Sequence, residues 1–199
     1  MDALAQLMLA QAHNNAWANH RLYAACAQLS QAEFEATRTS FFPSIKATLN
    51  HILTVDWYYL DAAERSLAGR PANPDTDAFF DPEEPYASCA ELRTEQAKSD
   101  ARLIALCRTA DAAMLERTLV GVPRRTGVMP EPLVRVLAHL FQHQVHHRGQ
   151  AHAMMSGTSV LPPQLDEFFP ADEAPLRAEE LTALGWTEET VWAGAARAG

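Results

Sequence analysis

The stretch AHLFQHQVHHRGQ, residues 138–150, holds four of the chain's eight histidines, and its periodicity sets how the rest is read. At about 100° per residue on an α-helix, Leu133, Leu137, Leu140, Ala151 and Met155 fall within about 40° of one direction, with Val136 and Met154 at its edge. That direction is the buried face. On the same wheel His147 lies about 40° from the face centre, His143 about 80°, His139 about 120° and His146 about 140°. His147 is therefore expected inside, His143 on the inner flank one turn before it, and His146 in solvent.

Two imidazoles at i and i+4 project from one side of a helix and can reach a single metal ion. Taken alone, the pair also fits a hydrogen-bonded core histidine beside a helix-surface one. A desolvated imidazole needs a partner for each nitrogen, and this favours a shared ligand. A second helix offers His51 and Asp56 in LNHILTVDW, residues 49–57. Here Ile45, Leu49, Ile52 and Ala63 mark the apolar face; Asp56 sits within about 20° of it and His51 about 120° away. Periodicity thus nominates Asp56 as the inward polar group, either supporting a ligating histidine or serving as a structural partner. Arg148 and Gln144 also point inward. For Arg148 an ion pair with Asp56 or another bundle acid competes with a substrate contact.

Outward from this helix, which should run from about Pro130 or Glu131 to Met155, four further helices are expected. They span about Asp2–Leu29, Ser44–Leu67, Tyr86–Thr109 and, as a short terminal piece, Glu188–Ala196. Ser30 with Glu33 forms a capping-box pattern, and residues 115–129, around Gly121, Pro123 and Gly127, suggest a small hairpin. Residues 69–85 carry four prolines and read as an ordered but irregular connection. Four long amphipathic helices without strong strand candidates point to an all-α four-helix bundle in one domain spanning residues 1–199.

Composition narrows the function. The chain has 199 residues, 48% of them hydrophobic, and a net charge of −9 from 16 Lys and Arg against 25 Asp and Glu. Such a field repels phosphate backbones and argues against a nucleic-acid partner. Arg124 and Arg125 form the only adjacent basic pair and read as solvated charges in a turn. No apolar run suggests a membrane span and no secretory leader is evident, so a cytoplasmic protein is expected. Cys26, Cys89 and Cys107, odd in number and widely spaced, read as reduced small hydrophobes. HExxH, the Glu-x-x-His pair of di-iron bundles, GxSxG, the P-loop and the Rossmann fingerprint are all missing from the sequence.

The run from His139 to Gln150 resembles the signature of the DinB family of metal-dependent proteins. SIKATLNHIL (residues 44–53) resembles the family's second-helix motif, and NAWAN (residues 15–19) its first helix. The resemblance spans most of residues 1–169. It departs at Gln142, where similar proteins often have Asn, but that residue points outward. The resemblance implies a bundle with up-down-down-up topology, usually a homodimer, with one divalent metal, Zn or Ni, held by His51, His143 and His147. It also implies kinship with thiol transferases and isomerases that use a low-molecular-weight thiol such as mycothiol or bacillithiol. Three histidine ligands leave an open coordination position, the mark of a catalytic zinc site. The expected function is that of a metal-dependent transferase or hydrolase acting on a small-molecule substrate. The rival is a non-catalytic, dimeric, stress-related binding module with a structural metal or none. No catalytic acid or base stands out beyond a weak case for Asp56.

Overall fold

The computed structural model describes residues 2–192. Three of its four long helices begin where short polar side chains satisfy the first free backbone amides. Asp2 Oδ1 accepts from Ala5 N ahead of α1 (Ala3–Cys26), and Ser30 and Glu33 close a reciprocal box ahead of the short α2 (Gln31–Glu35). Ser44 Oγ accepts from Ala47 N at the start of α3 (Ile45–Leu67). A second reciprocal box, Ser88 with Glu91, opens α4 (Cys89–Thr109) three residues after the expected start at Tyr86. The short α5 (Ala112–Arg117), capped by Asp111, went unanticipated because one turn and a half carries too little periodicity to register.

The hairpin exists but sits later than residues 115–129, with β1 (Leu119–Arg124) pairing antiparallel to β2 (Gly127–Pro132). Leu119 opposes Pro132 and Arg124 opposes Gly127, whose φ of 118° suits glycine at the tight turn. Because β2 runs through Pro132, α6 (Leu133–Met155) starts later than expected, and its first amide bonds the Thr118 carbonyl instead of a side-chain cap. Val120 and Val122 point into the core, while Gly121 N donates to Ser66 Oγ and Tyr58 OH to the Pro123 carbonyl. These bonds fasten the hairpin along α3. A further helix, α7 (Ala174–Ala183), was not foreseen; α8 (Glu188–Trp192) matches the start of the expected terminal helix, whose remaining residues lie outside those described.

α1 packs against α4 and α6, and α3 against the same two, so the four long helices enclose a shared interior. That interior has two apolar regions. One joins Leu9, Leu60, Leu103, Val120 and Leu137, and the other Leu22, Leu49, Leu53, Leu92 and Met155. Between them lies a buried polar ring contributed by all four helices. Gln96 Nε2 donates to Asp56 Oδ2 at 2.7 Å and to Asp100 Oδ1 at 3.2 Å. Gln144 Nε2 also donates to Asp56 Oδ2. Arg148 Nη1 donates to Asn15 Oδ1 at 2.8 Å, to Asn19 Oδ1 at 2.9 Å and, at 3.5 Å, to Gln144 Oε1. Both asparagines in turn donate to Asp100.

The direct ion pair considered for Arg148 is therefore absent among the described residues, and amides carry its charge to the acids. Asp56 is inward as its angle required, but it belongs to this ring. Burial pushes its carboxyl up to about 7 and that of Asp100 up to about 6, partly opposed by the donated hydrogen bonds. Replacing Arg148 strands several buried acceptors. Arg148→Met should cost at least about 3 kcal/mol in urea unfolding, whereas Arg135→Met, which breaks an exposed pair with Glu131, should stay within about 0.5 kcal/mol.

Candidate metal centre

Three imidazoles meet where α3 faces α6. His51, a turn and a half into α3, lies opposite His143 and His147, and one ring nitrogen from each lies within 4.8 Å of the others. The Nε2 atoms of His51 and His143 are 3.0 Å apart, and the ring centroids of His143 and His147 are 4.4 Å apart. The exposure order along α6 follows the wheel: His147 is buried, His143 half-buried, and His139 and His146 exposed. His51 is half-buried despite its angle. A helix wedged between α4 and α6 uses two faces, and the wheel of the single apolar stripe reported only one.

Phe42, from outside the long helices, and Gln150, three residues after His147 on α6, complete the surroundings of the cluster. Phe42, in the segment before α3, stacks 4.3 Å from the His51 ring and 5.4 Å from that of His147. It removes water from one side of the cluster. Gln150 Oε1 accepts from His147 Nδ1 at 2.8 Å. This hydrogen bond leaves the lone pair of His147 on Nε2, and such a partner fixes ring orientation and tautomer.

Electrostatics reinforce the geometry. Burial lowers the His51 ring to about 4 and the His143 ring to about 3, with repulsion from the neighbouring imidazoles adding to both. His147 is lowered by burial too, partly offset by Gln150. The rings are thus neutral at pH 7, the form that ligates metals. His143 Nδ1 is buried without a hydrogen-bond partner, and its Nε2 faces another imidazole nitrogen. Two neutral rings can share one N–H···N bond, and with both Nε2 atoms turned to the same point they are also a suitable pair of donors to one cation. Imidazole nitrogens bind zinc at about 2.0–2.1 Å, within the compass of this group.

A cavity of about 860 Å³ opens beside His51 and His143, walled by Tyr58, Tyr59 and Phe80 and edged by Arg124 and Arg125. Trp17 and Trp57 lie away from this cavity: Trp17 packs on Phe168 and Trp57 on Tyr86. Another cavity, of about 370 Å³ between α1 and α4, is lined by Asn19, Tyr23, Gln96 and Asp100 and adjoins the polar ring, not the imidazoles. His13 and His152 bond the backbone carbonyls of Leu9 and Pro163, in structural roles.

A helical protein whose facing helices present three convergent histidines belongs to the class of bundles that could hold a single metal ion. The chain matches the model of the DinB family over residues 5–181, and it belongs to that family. No curated protein matches it. Among the described residues, no helix is long and apolar enough to cross a membrane.

The depressed rings give a pH signature in the metal-free protein. In the unfolded chain they take up protons near 6.5, whereas in the fold they resist until about 4 or below. The imidazoles' contribution to stability should therefore fall as pH drops from about 6.5 toward 4, because the unfolded rings bind more protons there, while Asp56 and Asp100, raised in the fold, take up protons over the same range and contribute in the opposite sense. NMR titration of the imidazole ring carbons should find His51 and His143 still neutral at pH 5.5.

Proposed function

We propose that His51, His143 and His147 hold one divalent metal ion, with zinc or nickel the leading candidates, and that the protein is a metal-dependent transferase or hydrolase acting on a small molecule. The observation that carries this reading is the convergence of three neutral imidazoles beside an open cavity. A divalent metal held by three histidines keeps a position for an external ligand, where its Lewis acidity favours the deprotonated form of a water or a thiol.

The chain's own residues divide the remaining work. Gln150 holds the His147 ring in one tautomer, and Phe42 packs against the His51 and His147 rings. Asp56, turned into the ring of amides, is set aside as a base at the cluster. We also read the bundle as up-down-down-up. The pairs Arg102–Glu64 and Gln96–Asp56 support α3 and α4 running together, Arg148–Asn15 and Cys26–Met155 support α1 and α6 running together, and Tyr59–His139 with His51–His147 support α3 and α6 running in opposite senses.

Metal content tests the reading. Untagged protein purified without a nickel column should carry about one equivalent of a divalent metal by plasma mass spectrometry, and His147→Ala should lose it. The exposed neighbour His146→Ala should keep it. Wild type that stays metal-free after incubation with zinc and nickel and desalting would overturn the assignment and leave a non-catalytic binding module as the better account.

A further inference from the structure

We infer that the small molecule taken by the cavity beside the histidines carries an oxyanion, a carboxylate or group of like charge, which Arg124 and Arg125 receive at its mouth while another atom of the same molecule reaches the imidazole cluster. The inference rests on the proposed metal reading for the second contact only. It gives the substrate a charge and assigns the β1–β2 hairpin a role in recognition.

The two arginines sit at the turn of the hairpin and line the same cavity as His51 and His143. Arg21, Arg65, Arg102, Arg135 and Arg177 hold acids in ion pairs; Arg124 and Arg125 are among the arginines of the described residues that do not, and they are the two of these that line the cavity beside the histidines. In a chain of net charge −9, two cations without ion-pair partners on one cavity rim form a local positive field that draws anions. Asp77 is the one carboxylate among the described lining residues, so the two arginines outnumber it there.

Arg124 is also held in place. Its Nη1 donates to the hydroxyls of Tyr58 at 3.4 Å and Tyr59 at 3.3 Å, and its guanidinium lies 5.7 Å from the Tyr59 ring centre. Tyr58 OH donates to the Pro123 carbonyl, which leaves its oxygen free to accept from the arginine. The remaining guanidinium donors stay available in a fixed fork, the geometry that suits an oxyanion. From Arg124 the wall continues through the Tyr59 and His139 rings, 5.1 Å apart, to His143, 6.1 Å further on. This spacing calls for an elongated molecule with its anion at one end.

Cobalt-substituted protein titrated with a matched pair of thiols tests this. Glutathione and glutathione diethyl ester share length and sulfur donor, and differ in their carboxylates. In wild type, glutathione should perturb the cobalt spectrum with an affinity at least about tenfold greater than the ester, the scale expected of charge-assisted hydrogen bonds. Arg124→Gln and Arg125→Gln should reduce that preference, and the double variant should abolish it with cobalt content unchanged. Equal affinities in wild type, a preference that survives the double variant, or a fully loaded protein that neither thiol perturbs would each overturn the inference. If no cobalt binds, the metal reading fails, and S-methylglutathione added to metal-free protein still decides the anion claim. Shifts of the arginine Nε–H resonances that vanish in the double variant support it, and unshifted resonances overturn it.

Discussion

The buried ring that runs from Asp56 through Gln144, Arg148, Asn15 and Asn19, Asp100 and Gln96 is the constraint on which this structure turns. Each long helix contributes to it, and each member is nearly or fully shielded from water. Apolar side chains tolerate a helix slipping by a turn with modest loss, because one leucine replaces another. A charged guanidinium and two carboxyls do not, since any slip leaves one of them buried without a partner. The ring therefore sets the axial register of α3 against α6, and that register brings His51 opposite His143 and His147. The polar layer and the imidazole cluster are adjacent by construction, since Gln144 and Arg148 each directly follow one of the α6 histidines.

The two polar assemblies nonetheless differ in kind. In the ring, amide donors from three helices reach the two acids, and raised carboxyl values are tempered by the bonds the acids receive, although Asp56 Oδ1 and Gln96 Oε1 have no partner. In the cluster, nitrogen faces nitrogen, the values are driven downward by burial and mutual repulsion, and one buried ring atom has no partner. The ring ties helix to helix through bonds between side chains; the imidazoles, with their nitrogens turned to one another beside an open cavity, are where a ligand gains most by binding.

Much of this was legible in the sequence, and the failures are instructive. Long helices show in the periodicity, and the wheel of α6 separates buried His147 and half-buried His143 from exposed His139 and His146. Asp56 was recognised as inward, although its partners are amides from α4 and α6, which no spacing within α3 reveals. The wheel misjudged His51 because that helix presents separate faces to two neighbours, and only the resemblance kept the residue in view. Gln96, Asp100 and Phe42 were missed: they act from other segments, and only tertiary packing brings them to the ring and the cluster. A hairpin was anticipated a few residues early, since β2 consists largely of exposed and proline-containing sequence with no alternating pattern. Asn15 and Asn19 were noticed as part of a motif, and their physical meaning emerged as the pair of amides that links Arg148 to Asp100.

The hairpin's attachment has a consequence for how this scaffold diversifies. It is pinned to α3 mainly by two inward valines and by bonds to Ser66 and Tyr58, and it shares no residue with the polar ring. Its turn can therefore change sequence, charge or length while the register of the helices and the convergence of the histidines persist. Selection acting on the turn would alter which molecules are admitted without touching the groups that meet them inside, so chemistry and admission can evolve as separate traits in one small chain.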